Sequence, residues 1–168
     1  MKIAIVYESM TGNTQKVAQA IQDGLQDREV VYVGGPQSVE ADLYFVGSWT
    51  DKGTCSQGIG EFLRSLAGKT VAYFGTAGFG GSPEYYQSLY QRVEGLAQES
   101  CRMLGYYFCQ GKMPQGVRTR YEKMLEEHPE DARAKASLEN FDRALSHPDG
   151  EDLAKAGEWA RKMVDLAC

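Results

Sequence analysis

The chain has 168 residues, 18 Lys+Arg against 23 Asp+Glu, a formal net charge of −5 and an apolar fraction of 42%, enough for one ordinary globular core. An acidic balance without a Lys/Arg cluster lacks the positive surface that a nucleic-acid backbone or an acidic membrane requires, so neither is expected as a partner. The apolar run after Met1 is too short for a secretory leader and no stretch approaches the ~20 apolar residues of a membrane span. Four cysteines without paired spacing, Cys55, Cys101, Cys109 and Cys168, indicate neither a disulfide framework nor a structural zinc. The expectation is a cytoplasmic protein with reduced thiols.

Composition changes near residue 111. Residues 1–111 carry 16 glycines and 19 charges, and residues 112–168 carry 3 glycines and 22 charges, so the first part suits strands and tight loops and the second suits surface helices. Lys2 to Tyr7 is a first strand, and Val17, Ile21 and Leu25, spaced by four, line one face of a helix after it. Glu29 to Val33 is a second strand. Asp42 to Ser48 is a third, whose near-continuous apolar run suits burial on both faces. A short helix carries Ile59, Phe62, Leu63 and Leu66, and Lys69 to Gly75 is a fourth strand. From Pro83 to Leu104 a long helix is predicted, with Tyr86, Leu89, Tyr90, Val93, Ala97, Cys101 and Leu104 on one stripe and Ser82-Pro83 at its start. Tyr106 to Gln110 completes five strands. Three tail helices follow, separated by Pro129 and Pro148, with apolar faces Val117/Tyr121/Met124/Leu125, Ala134/Leu138/Phe141/Leu145 and Leu153/Ala156/Ala160/Met163/Val164/Ala167. Strands alternating with helices predict an α/β fold, a doubly wound parallel sheet with helices on both faces.

The most specific segment is Ser9-Met10-Thr11-Gly12-Asn13-Thr14, between the first strand and the first helix. Successive backbone N–H groups and the positive end of the helix converge there, which suits a phosphate. Ser9, Thr11 and Thr14 add hydroxyl donors, Gly12 allows positive φ or close approach, and Asn13 tolerates unusual turn geometry. No Gly-Lys-Ser/Thr follows and no GxGxxG is present, which excludes a triphosphatase clamp and a dinucleotide fingerprint.

Ser-x-Thr-Gly-Asn-Thr after an N-terminal apolar strand resembles the FMN phosphate loop of the flavodoxin family, and the resemblance covers residues 1–111 in order. It implies a five-stranded parallel sheet of order 2-1-3-4-5, here within a single domain of residues 1–168 that carries a helical insertion over 112–150 before the last helix. It also implies FMN as cofactor, bound by Ser9, Met10, Thr11, Gly12, Asn13 and Thr14 and by the loops after strands three and four, since ligands of such sheets sit beyond the strands' carboxyl ends. Those loops read Ser48-Trp49-Thr50-Asp51-Lys52-Gly53-Thr54-Cys55 and Thr76-Ala77-Gly78-Phe79-Gly80-Gly81-Ser82. Trp49 is the candidate for stacking on the ring; Asp51-Lys52-Gly53 has the turn chemistry to offer a carbonyl to the ring's N5–H; and Thr76, Ala77, Gly78, Phe79 and Gly80 bring backbone toward the pyrimidine edge. Phe79, Tyr85 and Tyr86 could instead simply pack over that loop. Lys52 departs from the usual acidic surround of flavodoxins, and a cation there favours an anionic reduced ring.

In such a site the ring performs the redox chemistry and the protein tunes it, so no catalytic residue and no metal ligand is predicted. Two functions follow. The first is an electron carrier between a reductase donor and a flavoenzyme acceptor. The second is an FMN-dependent NAD(P)H oxidoreductase acting on quinone-like or other small acceptors, which needs a second pocket, usually built at a homodimer interface. Trp-x-Asp-Lys-Gly with the later Cys-Gln-Gly-Lys is similar to a subgroup of short flavodoxin-family proteins, some associated with flavoenzymes that reduce bile pigments. Cys55 lacks a resolving cysteine and is expected to be a small loop residue. His128 and His147 precede prolines and are expected at helix boundaries, with no His/Asp/Glu cluster to hold a metal.

Overall fold

A computed structural model describes all of residues 1–168. In chain order the elements are β1 (Lys2–Tyr7), α1 (Asn13–Gly24), β2 (Glu29–Gly34), β3 (Leu43–Trp49), α2 (Gln57–Arg64), β4 (Thr70–Ala77), α3 (Pro83–Glu94), β5 (Arg102–Gln110), α4 (Gln115–Glu127), α5 (Ala132–Ala144) and α6 (Gly150–Ala167). The five strands form one parallel sheet in the order β2-β1-β3-β4-β5, the order that the resemblance implies.

Strand periodicity sorts the core into two layers. Ile3, Ile5, Leu43, Phe45, Ala72 and Phe74 face α1 and α6, meeting Val17, Ile21, Ala156, Ala160 and Val164. Ala4, Val6, Tyr44, Val46, Val71 and Tyr73 face the other way, toward Ile59 and Leu63 of α2 and Leu89 and Val93 of α3. Each fully buried Val, Leu, Ile or Phe contributes ~1.5–3 kcal/mol relative to exposure. On the first face α1 and α6 approach so closely that a Cβ at Gly24 would lie 2.9 Å from the Cα of Gly157. Only glycine permits that backbone contact.

The helix expected over residues 83–104 is shorter than predicted. Regular α3 ends at Glu94 before the Gly95 cap, and β5 begins at Arg102, four residues before the predicted strand start at Tyr106. Pairing with β4 explains this: Arg102 lies opposite Thr70 and Met103 opposite Val71, and an irregularity follows that sets Gly105 opposite Ala72. Leu104 therefore belongs to the strand and packs on the α1/α6 layer. Ladder formation on the neighbouring strand overrides a helical spacing that Cys101 and Leu104 continue.

α4 and α5 form a pair at the carboxyl end of β5. The expected apolar stripe of α4 is only half-covered, since no residue of α4 is fully buried, whereas α5 buries Ala134, Asn140, Phe141 and Ala144. Arg118 joins the two helices, pairing with Asp142 and with Glu122 at 2.9 Å while lying 5.7 Å over the Phe141 ring. The Lys112 N–H donates to the His147 carbonyl at 2.9 Å, so the two ends of the segment that carries α4 and α5 meet. No helix is long and apolar enough to cross a membrane.

Candidate functional site

Parallel strands bring their carboxyl ends to one edge, and the turns after β1, β3, β4 and β5 meet there. After β1, the Ser9 Oγ accepts from the Gly12 N–H at 3.1 Å and the Gln15 N–H at 3.3 Å. Gly12 adopts φ 93°, ψ −8° and no side chain caps α1 from that position. The first-turn N–H groups of Asn13 and Thr14 have no intrahelical acceptor, and the positive helix end adds to their field. Nothing lies within 4 Å of where a Gly12 Cβ would stand, so the concavity is open. Met10 and Thr11 are exposed at its rim, and Thr14 turns inward, its hydroxyl 3.1 Å from that of Thr76 with both side chains buried.

Asn13 is 7% exposed. Its Nδ2 donates to the Lys112 carbonyl at 2.9 Å, while its Oδ1 is buried with no partner. Leaving such an acceptor unpaired costs about 1–3 kcal/mol, and a phosphate dianion has no proton to give it. A ligand with a phosphate next to a hydroxyl-bearing chain satisfies both halves of this arrangement.

After β3, Trp49 is half-buried and the Thr50 N–H and Oγ1 both bond the Thr76 carbonyl at 2.8 Å. Ser48 is fully buried and structural, accepting from the Ser56 N–H at 2.8 Å and donating to the Trp49 carbonyl at 2.7 Å. Asp51 and Thr54 close a short bridge around Lys52 (φ 51°) and Gly53 (φ 83°). Consecutive positive φ values at Lys52 and Gly53 give a tight primed turn. Lys52 is exposed at its tip, and Arg92 of α3 donates to the Gly53 carbonyl at 3.2 Å. Cys55 lies buried behind this turn, where burial pushes its thiol up from the ordinary range. That is the opposite of an activated thiolate.

After β4, Thr76, Ala77 and Gly78 face the shared cavity, whereas Phe79 and Gly80 are exposed beyond it. Tyr86 supports this loop from beneath: its hydroxyl accepts from the Gly81 N–H at 3.3 Å and its ring stacks on Phe108 at 5.4 Å. Of the three aromatics that could cover this loop, Tyr86 bonds it, Tyr85 lies against Tyr86 with ring centroids 6.0 Å apart, and Phe79 is exposed.

Met10, Thr11, Asn13, Trp49, Thr50, Thr76, Ala77 and Gly78 line one cavity of about 120 Å³, together with Gly111, Lys112, Met113 and Pro114. Ser9, Gly12 and Thr14 shape it without lining it, and Ser48, Asp51, Lys52, Gly53, Phe79 and Gly80 stand outside. A second cavity of about 310 Å³, reaching Phe141 and Leu145, shares Thr11, Lys112, Met113 and Pro114 with the first. Sequence patterning assigned no role here to Met113 or to Asn140. The adjacency of Gln110-Gly111-Lys112 to a strand end signals the former region; the signal for Asn140 is a polar residue beside Phe141 on the buried stripe of α5.

One expectation is corrected at the start of α6. His147, Asp149 and Asp152 do form a cluster, with ligand atoms within 4.8 Å of one another, because the turn before the helix folds them together. Their atoms are committed to the cap: Asp152 bonds the His147 Nδ1 at 2.6 Å and the Asp149 N–H at 2.9 Å, and Asp149 accepts from the Asp152 N–H at 2.9 Å. His147 is thus a helix-boundary residue.

The flavodoxin domain family matches residues 4–161. The flavodoxin-like domain-containing protein BilS of Clostridium symbiosum (strain WAL-14163) is 42% identical over 187 residues, covering 99% of this chain and 98% of its own. Among solved structures, oxidised flavodoxin 2 from Bacillus cereus aligns with a TM-score of 0.60 at 21% identity over 99% of both chains. A flavoprotein from Lactobacillus acidophilus NCFM, solved in complex with FMN, aligns with a TM-score of 0.52 at 18% identity over 64% of this chain and 93% of that one. FMN is the cofactor this kinship carries, and the neutral donors around Gly12 with the unpaired Asn13 oxygen fit its phosphate and polyol chain. Sheet order, strand-end loops and the match across most of its length agree: the chain belongs to the flavodoxin domain family.

Proposed function

We propose that this protein binds FMN at the strand ends and carries electrons between a reductase donor and a flavoenzyme acceptor. The observation that carries this reading is the open, uncharged anion cradle at Ser9–Thr14 beside a cavity lined by Trp49 and Thr76–Gly78. When bound, FMN supplies the redox chemistry. Ser9 holds the Gly12 and Gln15 amides in place, the first turn of α1 grips the phosphate, Asn13 takes a hydroxyl of the polyol chain, and Trp49 covers the ring. Met10, Thr11, Lys112 and Pro114 of the cavity lining are exposed, so a flavin seated on these donors keeps part of its ring at the surface, where a protein partner reaches it. Met10, 65% exposed, and Phe79, 44% exposed, offer apolar contact there, and the net charge of −5 suits a basic docking face. The acceptor class to try first is a flavoenzyme that reduces bile pigments, as the Trp-x-Asp-Lys-Gly and Cys-Gln-Gly-Lys segments imply, in the cytoplasm.

The test is to purify the protein, reconstitute it with FMN, and add NADH or NADPH with and without a quinone, then a reductase protein. A carrier stays oxidised with pyridine nucleotide alone and is reduced through the reductase. Direct bleaching with quinone turnover identifies an NAD(P)H oxidoreductase instead, and a chain that takes up no FMN overturns both.

A further inference from the structure

Beyond Lys112, Met113 and Pro114, which line the cavity at its start, the 112–150 segment reaches back to the site through Asn140. Asn140, on the buried face of α5, donates from Nδ2 to the Gly78 carbonyl at 3.0 Å and accepts at Oδ1 from the Gln110 Nε2 at 3.0 Å and, more weakly, from the Gly80 N–H at 3.4 Å. The Gln110 Nε2 also donates to the Gly78 carbonyl, at 2.9 Å. Two side-chain amides, 30 residues apart in sequence, thus converge on one loop. Apart from the Tyr86 hydroxyl at Gly81, that loop is exposed at Phe79, Gly80 and Gly81, and glycine at 78, 80 and 81 gives its backbone wide conformational freedom. It is also the loop whose first residues, Thr76 to Gly78, face the cavity. Met113, just before α4, presses on it from the other side, since a Cβ at Gly78 would lie 2.5 Å from the Met113 Sδ.

We infer that Asn140 is a positioning residue for the cofactor: the α4–α5 pair uses it to anchor the loop at Gly78 and Gly80, so that Thr76–Gly78 keep the form that faces the flavin ring and residues outside the phosphate cradle govern ring binding. This rests on the FMN reading and adds a role for the insertion to it. The buried amide is matched to its task, because Asn140 satisfies a carbonyl and an N–H of the same loop at once, which neither Asp nor Leu can do.

The test compares dissociation constants for FMN and for riboflavin, which lacks the phosphate, in wild type, Asn140→Ala, Asn140→Asp and Gln110→Met, with amide exchange measured on each flavin-free protein. The inference predicts that Asn140→Ala weakens both flavins by about tenfold, leaves the riboflavin-to-FMN ratio unchanged, and speeds exchange at residues 78–81 more than in the sheet. Asn140→Asp shows the same sign, since it loses the donor to Gly78. If the Asn140 variants fail to fold, Gln110→Met, which removes the companion bonds, is expected to show the same equal loss. Wild-type affinities throughout, or a change confined to FMN, overturn the inference while leaving the cofactor assignment intact. A wild-type protein that binds neither flavin overturns the functional reading itself, and this inference with it.

Discussion

In the proposed site the phosphate end comes from six consecutive residues, Ser9 to Thr14, whereas the ring end draws on segments scattered from Trp49 through Gly78 and Met113 to Asn140. The first is local chemistry: a strand ends, one residue takes positive φ, a helix begins, and donors accumulate because a helix start cannot satisfy its own amides. The second exists only after the sheet has aligned its carboxyl ends and Asn140 of α5 has reached Gln110 at the end of β5 and Gly78. Local construction makes binding strength at the phosphate depend on backbone geometry at one turn. Distributed construction lets the ring environment vary without touching that anchor.

The largest effect is expected where the local geometry is broken. Gly12→Val forces a branched side chain into the left-handed region at the N-cap, costing about 1–2 kcal/mol unless the turn relaxes and its amides rotate away. FMN affinity is expected to fall ~5- to 30-fold, with riboflavin affinity within twofold of wild type, as read by quenching of flavin fluorescence. Equal losses for both flavins would erase the division between the two ends.

Trp49→Ala probes the distributed end. It is expected to weaken FMN and riboflavin alike by about 1 kcal/mol, roughly fivefold, because an aromatic contact with the ring is blind to the phosphate. A loss seen with FMN alone would place the indole elsewhere. The smallest effect is expected at Lys52, which is exposed at the tip of its turn. A cation there stabilises added negative charge on the ring, so Lys52→Ala lowers the flavin midpoint potential, by tens of millivolts at most and less at high salt. A potentiometric titration with both couples unchanged would remove Lys52 from the ring's surroundings.

The same contrast explains how much was legible in the sequence. A parallel sheet with helices on both faces follows from apolar runs alternating with helix-period segments, its strand order comes only with the family resemblance of the Ser9–Thr14 loop, and Val17 and Ile21 sit where their spacing puts them. The loop after β1 was legible because its chemistry is contiguous. The end of α3 was not: Cys101 and Leu104 continue a helical spacing, and only the ladder with Thr70 and Val71 converts that stretch into β5. Asn140 was hidden for a related reason, as its partners lie 30 and 62 residues away. Of the loop residues picked out after β3, Ser48 serves the interior, since a hydroxyl at a strand end gives no sign of which way it turns. The cap at His147–Asp152 was also missed as a cluster, although the spacing of its members was in plain view; the fold of the turn, not the order of residues, closes them together.

The most direct measurement is the ratio of riboflavin to FMN dissociation constants in the wild-type protein. Two or more charge-assisted hydrogen bonds to the phosphate, at ~1.5–3 kcal/mol each, predict that FMN binds at least ~100-fold more tightly. Indistinguishable constants for the two flavins would contradict a phosphate site at Ser9–Thr14.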